Sequence, residues 1–495
     1  MVEKFRIAPL LLFPISALFL ATCPNIDRPK EGQKFWAYNF VTGKYYQVTA
    51  DKAAVGKRCE IWVERSSGVS PADASEFARE YDEEIYPIMI ENFDIGESYG
   101  GIIYGTSKFN DIMEMADYLV NGNGKLVILL LDIKDGYKTT GDPYCGGYFS
   151  SGNFFWNYPY SNSLNMIYVD TDPGMKNRDG MYATFAHELQ HLINFITTLL
   201  RRDAFMDTWI DEGLSTQAEY LYLKEHPKDR YQWFIDDRAK SIAKGNNFYV
   251  WDNHQESPLS IMDEYATVYL FFQWLYLQSG EDPDLFRNII ASEQSDHQAV
   301  TKVAKEINPH WNKWETLIRD WMAANYINSP SGIYGYKHND DEASPLKKIK
   351  VRAIGPKPDV GLISYEGNFG LDLYPGEGVY SKTPRNYIPP RVSSSIGYAG
   401  LQKSGLGSVS HKGPYNGDVL LTYNKKTIEN NAESAKFERG YVTGEDGDAW
   451  PPPSPVRQAA DFPYPLRIDA RDTPNQGLDY LKSLKDGIMV FNESK

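Results

Sequence analysis

The chain has 495 residues, which suggests about two to four domains and leaves ample length for a hydrophobic core without disulfides. Its formal net charge is -15 at pH 7, and no cluster of lysine and arginine of the kind that contacts phosphate appears. This balance argues against a nucleic-acid-binding protein, because phosphate recognition needs a basic surface. The acidity by itself identifies no partner.

The first 22 residues have the pattern of a secretory signal peptide. Lys4 and Arg6 form a short basic start, an apolar run follows, and small residues precede Cys23. The alternative is a membrane anchor, but the run is shorter than the roughly 20 apolar residues of a spanning helix and contains Pro14. The sequence therefore predicts an extracytoplasmic protein, and no other segment is long and apolar enough to span a membrane.

Cys23 leaves a second interpretation of this segment open. The four residues LATC that end at Cys23 resemble the lipobox of bacterial lipoproteins, although Thr22 departs from the smaller residue usual at that position. A lipid anchor to a membrane through Cys23 and free secretion are both consistent with the sequence. If Cys23 carries a lipid, Cys59 and Cys145 either form a disulfide in an oxidising compartment or stay as two buried thiols.

The predicted elements change along the chain from strands to helices. Residues 23–80 form a β-rich N-terminal segment, and ADASEFAREYDEEIYPIMIENF has helical spacing of its apolar residues. The run KLVILLLDI predicts a buried central strand, and NMIYVD predicts a strand at a sheet edge. Residues 146–163 between them predict a structured loop, because they are rich in glycine, serine, asparagine and aromatic residues. From residue 180 to about 328 the pattern is mostly helical.

The stretch AHELQHLINF carries two histidines four residues apart, with a glutamate after the first. It lies in a helix predicted from about Met181 to Leu200 and capped by Asp179. Because each helical residue turns by about 100 degrees, His187, Glu188 and His191 share one side. The two imidazoles can bind one zinc ion, with Glu188 beside an open coordination position. The alternative is an ordinary amphipathic helix, since this short pattern also arises by chance.

The next predicted helix supplies a third ligand. Glu212 follows His191 by 21 residues, and a short turn between two helices would aim it back at both histidines. This completes a site of two histidines and one glutamate, with one position left for water. Asp211 is interpreted as a helix cap, whereas a buried Glu212 without a partner would be costly and so favours a metal. Thr216 and Glu219 are candidates to orient the imidazoles.

These motifs resemble the gluzincin metallopeptidases, in which HExxH is completed by a glutamate on the following helix. The closer likeness is to the hyicolysin family of secreted bacterial peptidases, through KLVILLLDIKDGY, GGYFSSGNFF, ATFAHELQHLINF and WIDEGLSTQAEYL, and it covers about residues 55–335. The resemblance implies an α+β fold with a thermolysin-like zincin peptidase domain, a mixed sheet followed by a mostly helical half, over residues 81–330. Residues 331–495, rich in Gly, Pro, Ser and Tyr, are predicted to form a separate β-rich C-terminal region.

The resemblance also implies roles for individual residues. His187, His191 and Glu212 match the zinc ligands, and Glu188 matches the general base that activates water. Tyr265 in EYATVYLFF matches the tyrosine that stabilises the oxyanion in the aminopeptidase branch of gluzincins. A core aromatic at helical spacing is the alternative for Tyr265. Zn²⁺ is the one cofactor implied.

The predicted function is an exported zinc metalloendopeptidase that acts on proteins or peptides. The Gly-x-Met-Glu-Asn segment with which related aminopeptidases hold the substrate amine is absent from the sequence, which favours an endopeptidase. In gluzincins the edge strand before the zinc helix pairs with the substrate; NMIYVD takes that place here, and the loop of residues 146–160 is predicted to line the cleft. An aminopeptidase and a catalytically inert surface-binding lipoprotein remain alternatives. Nothing in the sequence indicates an oligomeric state.

Overall fold

A computed structural model describes most of the chain between residues 32 and 427. The described residues are 32–93, 124–139, 144–154, 159–202, 206–236, 248–249, 260–338, 343–351, 353, 376–382, 386–389 and 394–427. The predicted signal peptide, Cys23 and all residues after 427 lie outside them. Among the helices of these ranges, none combines the length and the apolar character that a membrane crossing requires.

The first part of the described chain is built on one six-stranded mixed sheet. Its strands are β1 (Gln33–Asn39), β2 (Lys44–Val55), β3 (Cys59–Glu64), β4 (Leu126–Leu131), β5 (Gly147–Phe149) and β6 (Met166–Asp170). They lie in the order β1-β2-β3-β4-β6-β5, with β4 parallel to both neighbours and the other pairs antiparallel. Every residue of β4 is buried, as its unbroken apolar run predicts for a central strand.

The edge of this sheet is not where the sequence predicts it. β6, which is the NMIYVD strand, pairs with β4 on one side and with β5 on the other, so the prediction of an edge strand there was wrong. β5 forms the edge on this side of the sheet, and it lies within the segment that is predicted to be a loop. Three residues that include Gly147 are too short to show an alternating pattern, and only pairing with β6 makes them a strand.

A helix follows β3, as the spacing of its apolar residues predicts, and it contains a π-helical turn. Its parts are α1 (Pro71–Glu80), a π-helical turn (Tyr81–Ile85) and α2 (Tyr86–Asn92). Pro87 accounts for the wider turn, because its nitrogen cannot donate a hydrogen bond and its ring crowds the carbonyl one turn earlier. Phe77 and Tyr81 pack edge-on against Phe185, with ring centroids 5.2 and 5.5 Å away. The helix thereby rests on the segment that carries the two histidines.

The second part is helical, which confirms the coarse α+β prediction of a sheet followed by helices. The helices are α3 (Arg178–Arg202), α4 (Thr208–Leu223), α5 (Lys228–Asp236), α6 (Ser260–Ser279), α7 (Asp284–Ile290), α8 (His297–Ile307) and α9 (Trp314–Ile327). α3 packs on β5 and β6 on one side and on α4 on another, and α4 and α5 both pack on α6. The histidine-bearing helix therefore lies at the junction of the sheet and the helical half.

A four-stranded antiparallel sheet lies in the predicted β-rich C-terminal region. Its strands are β7 (Gly378–Ser381), β8 (Ile396–Gln402), β9 (Ser408–Ser410) and β10 (Val419–Asn424), in the order β7-β10-β8-β9. The hydroxyl of Tyr380 donates to the carbonyl of Met322 in α9 at 2.8 Å, and Tyr380, Leu401 and Leu421 belong to the same hydrophobic core as the helices. The sheet thus packs directly on α9, and a domain boundary near residue 330 stays a prediction.

Cys59 and Cys145 are both free and buried, so the structure has two thiols where a disulfide was the alternative. Cys59 begins β3 and Cys145 precedes β5, and β4 and β6 lie between these two strands. Burial raises the pKa of Cys59 to about 12 and that of Cys145 well above its usual value. Both thiols are therefore protonated at neutral pH.

A buried carboxyl group ties together the loops that follow β4 and β6. Asp170, the last residue of β6, is 0% exposed, and its oxygens accept hydrogen bonds from the backbone nitrogens of Ile133 at 3.1 Å and Gly174 at 3.2 Å. Burial raises its pKa to about 7 despite these two bonds. The side chain is thus largely protonated in the folded protein below neutral pH.

Asp170→Asn is expected to flatten the pH dependence of stability. Because the folded pKa of Asp170 lies above its unfolded value near 3.9, the folded protein holds one proton more than the unfolded chain between these values. The wild-type free energy of unfolding should therefore fall with rising pH by about 1.4 kcal/mol per pH unit more than that of the variant, between about pH 4 and pH 7.

Urea unfolding of both proteins across this pH range measures the difference. The dependence of the free energy of unfolding on urea concentration should be the same for the two, which controls for a change in the transition itself. Parallel pH profiles for wild type and variant would contradict the assignment of the raised pKa to Asp170.

Candidate metal centre

α3 carries His187, Glu188 and His191 into the interior. All three side chains are at least 94% buried, because the helix is covered by the sheet on one side and by α4 on another. The helix begins earlier than the sequence predicts, at Arg178. At this end the side-chain oxygen of Asn177 accepts a hydrogen bond of 3.2 Å from the backbone nitrogen of Gly180. Asn177 is therefore the cap, and the prediction that Asp179 caps the helix was wrong, since Asp179 lies in its first turn.

Close packing of α4 against α6 places Glu212 opposite the two histidines. A Cβ atom on Gly213 would lie 2.3 Å from the Phe272 ring and 2.9 Å from Val268, so only glycine allows this approach. Next to it, Glu212 directs Oε2 to 3.5 Å from Nε2 of His187 and 3.5 Å from Nε2 of His191. The structure thus brings together the three residues that are predicted to bind a metal.

The spacing of the three inward-facing atoms fits a tetrahedral metal ion. The two Nε2 atoms of His187 and His191 are 3.1 Å apart, and Oε2 of Glu212 is 3.5 Å from each. Zinc binds imidazole nitrogen and carboxylate oxygen at about 2.0 to 2.2 Å, and two ligands of a tetrahedron with such bonds are about 3.3 to 3.6 Å apart. Two imidazoles and one carboxylate are also a donor set that zinc prefers.

The hydrogen bonds around the site leave these atoms available. Oε2 of Glu212 is buried and accepts no hydrogen bond from any residue that the structure describes, since 3.5 Å is the outer limit for such a bond. Both histidines have a carboxylate at Nδ1, so in the neutral imidazoles each Nδ1 carries the proton and each Nε2 presents a lone pair. Two lone pairs and a carboxylate oxygen that converge in a buried space call for a cation.

Glu219 contacts His187 at the ring nitrogen that faces away from the site. Its Oε1 lies 2.7 Å from Nδ1 of His187 and accepts a second hydrogen bond, of 2.9 Å, from Nη2 of Arg230. Glu219 was one of two residues predicted to orient an imidazole. The other, Thr216, donates instead to the carbonyl of Gly213 at 2.7 Å and does not take this role.

Asp211 holds His191 in the same way. Its Oδ2 lies 2.9 Å from Nδ1 of His191, and its Oδ1 accepts a hydrogen bond from the amide of Asn194. The hydroxyl of Ser215 lies 3.1 Å from the same Nδ1. Asp211 was predicted to be a helix cap, which was wrong because the cap position is occupied by Asp207. Its place directly before Glu212 was the only signal in the sequence for this role.

The charges of the site follow from burial and from these contacts. Burial would raise the pKa of Glu212, but its interactions with His191 and His187 outweigh burial and lower it to about 2. Burial lowers the pKa of both histidines, yet the surrounding carboxylates more than offset this effect and raise it. Glu212 is thus ionised at neutral pH, and a metal ion and protons compete for the same imidazole nitrogens.

Glu188 lies beside the three inward-facing atoms and is tied to the edge strand. Its Oε2 accepts a hydrogen bond of 2.9 Å from the backbone nitrogen of Phe149 in β5, and its buried Oε1 has no hydrogen-bond partner among the described residues. Burial raises the pKa of Glu188 to about 7, against the lowering effect of the two histidines. One oxygen is therefore anchored, and the other is open to a further partner.

Tyr265 is buried on α6. Its ring lies under the guanidinium of Arg230, with the Arg230 Cζ atom 5.4 Å from the ring centroid. Arg230 in turn contacts Glu219, so Tyr265 adjoins the layer of side chains behind His187. Its role as a donor to an oxyanion stays a prediction.

Comparisons with known proteins agree with this geometry. No family model matches the chain. A stretch of 335 residues is 28% identical to the neutral metalloprotease ShpI of Staphylococcus hyicus, and it covers 66% of this chain and 67% of that protein. The predicted resemblance to metallopeptidases is confirmed. The cluster of His187, His191 and Glu212 gives the similarity to ShpI a structural counterpart, since a metalloprotease needs a set of metal ligands.

Gly147→Ala is expected to disturb the contact between β5 and Glu188. A Cβ atom on Gly147 would lie 2.9 Å from the backbone oxygen of Tyr168 and 3.4 Å from Cγ of Glu188. The backbone of a paired strand cannot move away from such a contact without loss of stability. The cost of such overpacking is typically about 1 to 3 kcal/mol of stability. Thermal or urea unfolding measures it.

Gly174→Ala serves as the matched control, because a Cβ atom there meets no atom closer than 3.6 Å. The control should unfold within about 0.5 kcal/mol of wild type. If both alanine variants were equally stable, the close approach of Gly147 in β5 to the Tyr168 backbone in β6 would be refuted.

Proposed function

We propose that the protein is a zinc metalloendopeptidase that hydrolyses peptide bonds in protein substrates outside the cytoplasm. The observation that carries the proposal is the convergence of His187, His191 and Glu212 on one buried point with Glu188 beside it. The similarity to a protein named a neutral metalloprotease supports the same class of activity. The proposal of export is based on the predicted signal peptide of residues 1–22. The exported protein is then either secreted or anchored to a membrane by a lipid on Cys23.

His187, His191 and Glu212 would hold the zinc ion. Bound there, zinc would supply a Lewis acid that polarises a peptide carbonyl and lowers the pKa of a water molecule towards neutrality. The protein side chains orient the site, because Glu219 and Asp211 lie at the Nδ1 atoms of His187 and His191 and thereby direct each Nε2 towards the proposed metal position.

Glu188 is proposed as the general base. Its Oε1 has no described hydrogen-bond partner, whereas its Oε2 is held by Phe149, so the carboxylate has one fixed and one free oxygen. The free oxygen can accept a proton from the attacking water and then donate it to the leaving amine.

The outer edge of β5 is proposed as the place where a substrate chain binds. β5 pairs with β6 on one side, and among the described residues no strand pairs with its other side. An extended peptide can add to such an edge by backbone hydrogen bonds, which suits a peptidase that accepts many sequences. This proposal replaces β6, which the sequence alone suggests, and it places the substrate next to Glu188.

Glu188→Gln is expected to lower the rate of cleavage of a denatured protein by two to four powers of ten, roughly, while zinc stays bound. The amide keeps the size of the side chain but cannot take a proton. Cleavage rates and zinc content of the purified proteins test this, with Glu212→Gln as the companion variant that should lose zinc. An active Glu188→Gln protein would exclude Glu188 as the base.

Peptides blocked at both ends are expected to be cleaved at internal bonds. An endopeptidase needs no free amine on its substrate, and the sequence has no segment of the kind that holds such an amine in related aminopeptidases. Mass spectrometry of the products from an acetylated and amidated peptide, compared with the same peptide unblocked, decides the point. Cleavage of the unblocked peptide alone, one residue at a time from its amino end, would indicate an aminopeptidase instead, and cleavage of neither peptide an inert protein.

A further inference from the structure

We propose that Arg230 is a positioning residue that sets the affinity of the metal site through Glu219. The inference rests on the proposed function, because it takes His187, His191 and Glu212 as the ligands of a zinc ion. Arg230 lies on α5, which contributes neither a proposed ligand nor the proposed base. Its effect on the metal would therefore pass through two other side chains.

One oxygen atom links Arg230 to the metal ligand. Oε1 of Glu219 accepts a hydrogen bond of 2.9 Å from Nη2 of Arg230 and lies 2.7 Å from Nδ1 of His187. All three residues are buried, so water competes little for these contacts. Arg230, Glu219 and His187 thus form a continuous row that ends at the Nε2 atom facing the site.

The guanidinium group is held on three sides. Nη2 contacts Glu219, Nη1 lies 2.9 Å from Oδ2 of Asp229, and the group faces the Tyr265 ring at 5.4 Å. A planar fork of donors can contact two carboxylates and an aromatic face together, whereas a lysine ammonium is a single point of charge. The contacts of residue 230 therefore depend on both the charge and the planar shape of the guanidinium group.

This row gives Arg230 control over the orientation of His187. A metal-binding imidazole is kept in place by the acceptor at its second nitrogen, and loss of such an acceptor typically weakens metal binding about 10- to 100-fold. Arg230 supplies one of the two hydrogen bonds at Oε1 of Glu219 and the positive charge beside it. Without Arg230, the imidazole that Glu219 is meant to orient is the one hydrogen-bond partner left to this carboxylate among the residues that the structure describes.

The test is the zinc dissociation constant of the full chain, measured by competition with a chromogenic chelator. Arg230→Met should weaken zinc binding about 10-fold, and Arg230→Lys should weaken it less, because charge returns without the fork. Glu219→Gln should weaken binding by a similar or larger factor. If Arg230 acts through Glu219, the double variant Arg230→Met with Glu219→Gln should bind zinc no more weakly than Glu219→Gln alone.

The double variant also guards against a folding failure, because it leaves no unpaired buried carboxylate at position 219. Trp233→Phe is the matched control on the same helix, since its indole nitrogen contacts Asp263 and not the row. This control should lower the unfolding temperature while the zinc dissociation constant stays unchanged.

An unchanged zinc dissociation constant in Arg230→Met, or losses that multiply fully in the double variant, would overturn the role of Arg230. In both of these cases the wild-type protein binds zinc, and the proposed function stands. A wild-type protein that binds no zinc would instead remove the proposed function, and this inference with it.

Discussion

The two imidazole nitrogens that face each other 3.1 Å apart, with a carboxylate oxygen 3.5 Å from each, are the constraint on which the rest of the structure depends. Lone pairs at this distance repel one another unless a cation lies among them, so the fold must force them together. Every element near the site does so. The sheet and α4 enclose α3, and the contact of Gly213 with α6 fixes the position of Glu212.

The features that the sequence predicts well are those with local signals. α3 and its two histidines follow from helical spacing, β4 follows from an unbroken apolar run, and Glu212 follows from its distance along the chain and its apolar surroundings. What the sequence does not predict depends on tertiary contacts. β5 is a strand only because β6 lies beside it, and Asp211 serves His191 only because α4 lies against α3.

The two histidines are supported by different kinds of neighbour. His187 depends on Glu219, whose negative charge is balanced by a buried guanidinium from α5. His191 depends on Asp211, which is balanced by the neutral amide of Asn194 and lies near the hydroxyl of Ser215. Each ring is therefore held by a carboxylate, and the two carboxylates differ in their further partners: a buried guanidinium for Glu219 and neutral groups for Asp211.

The hydrogen bond from the Phe149 nitrogen to Glu188 has a further consequence for how a substrate is aligned. One backbone amide serves as a common reference point for the edge of the sheet and for the carboxylate that lies beside the proposed metal ligands. If a substrate pairs with β5 as proposed, a peptide shifted by two residues would keep its backbone pairing but would have its reactive bond displaced by about 7 Å from its aligned position. In that arrangement the Phe149 nitrogen would fix both the alignment of the substrate chain and the bond that is cleaved.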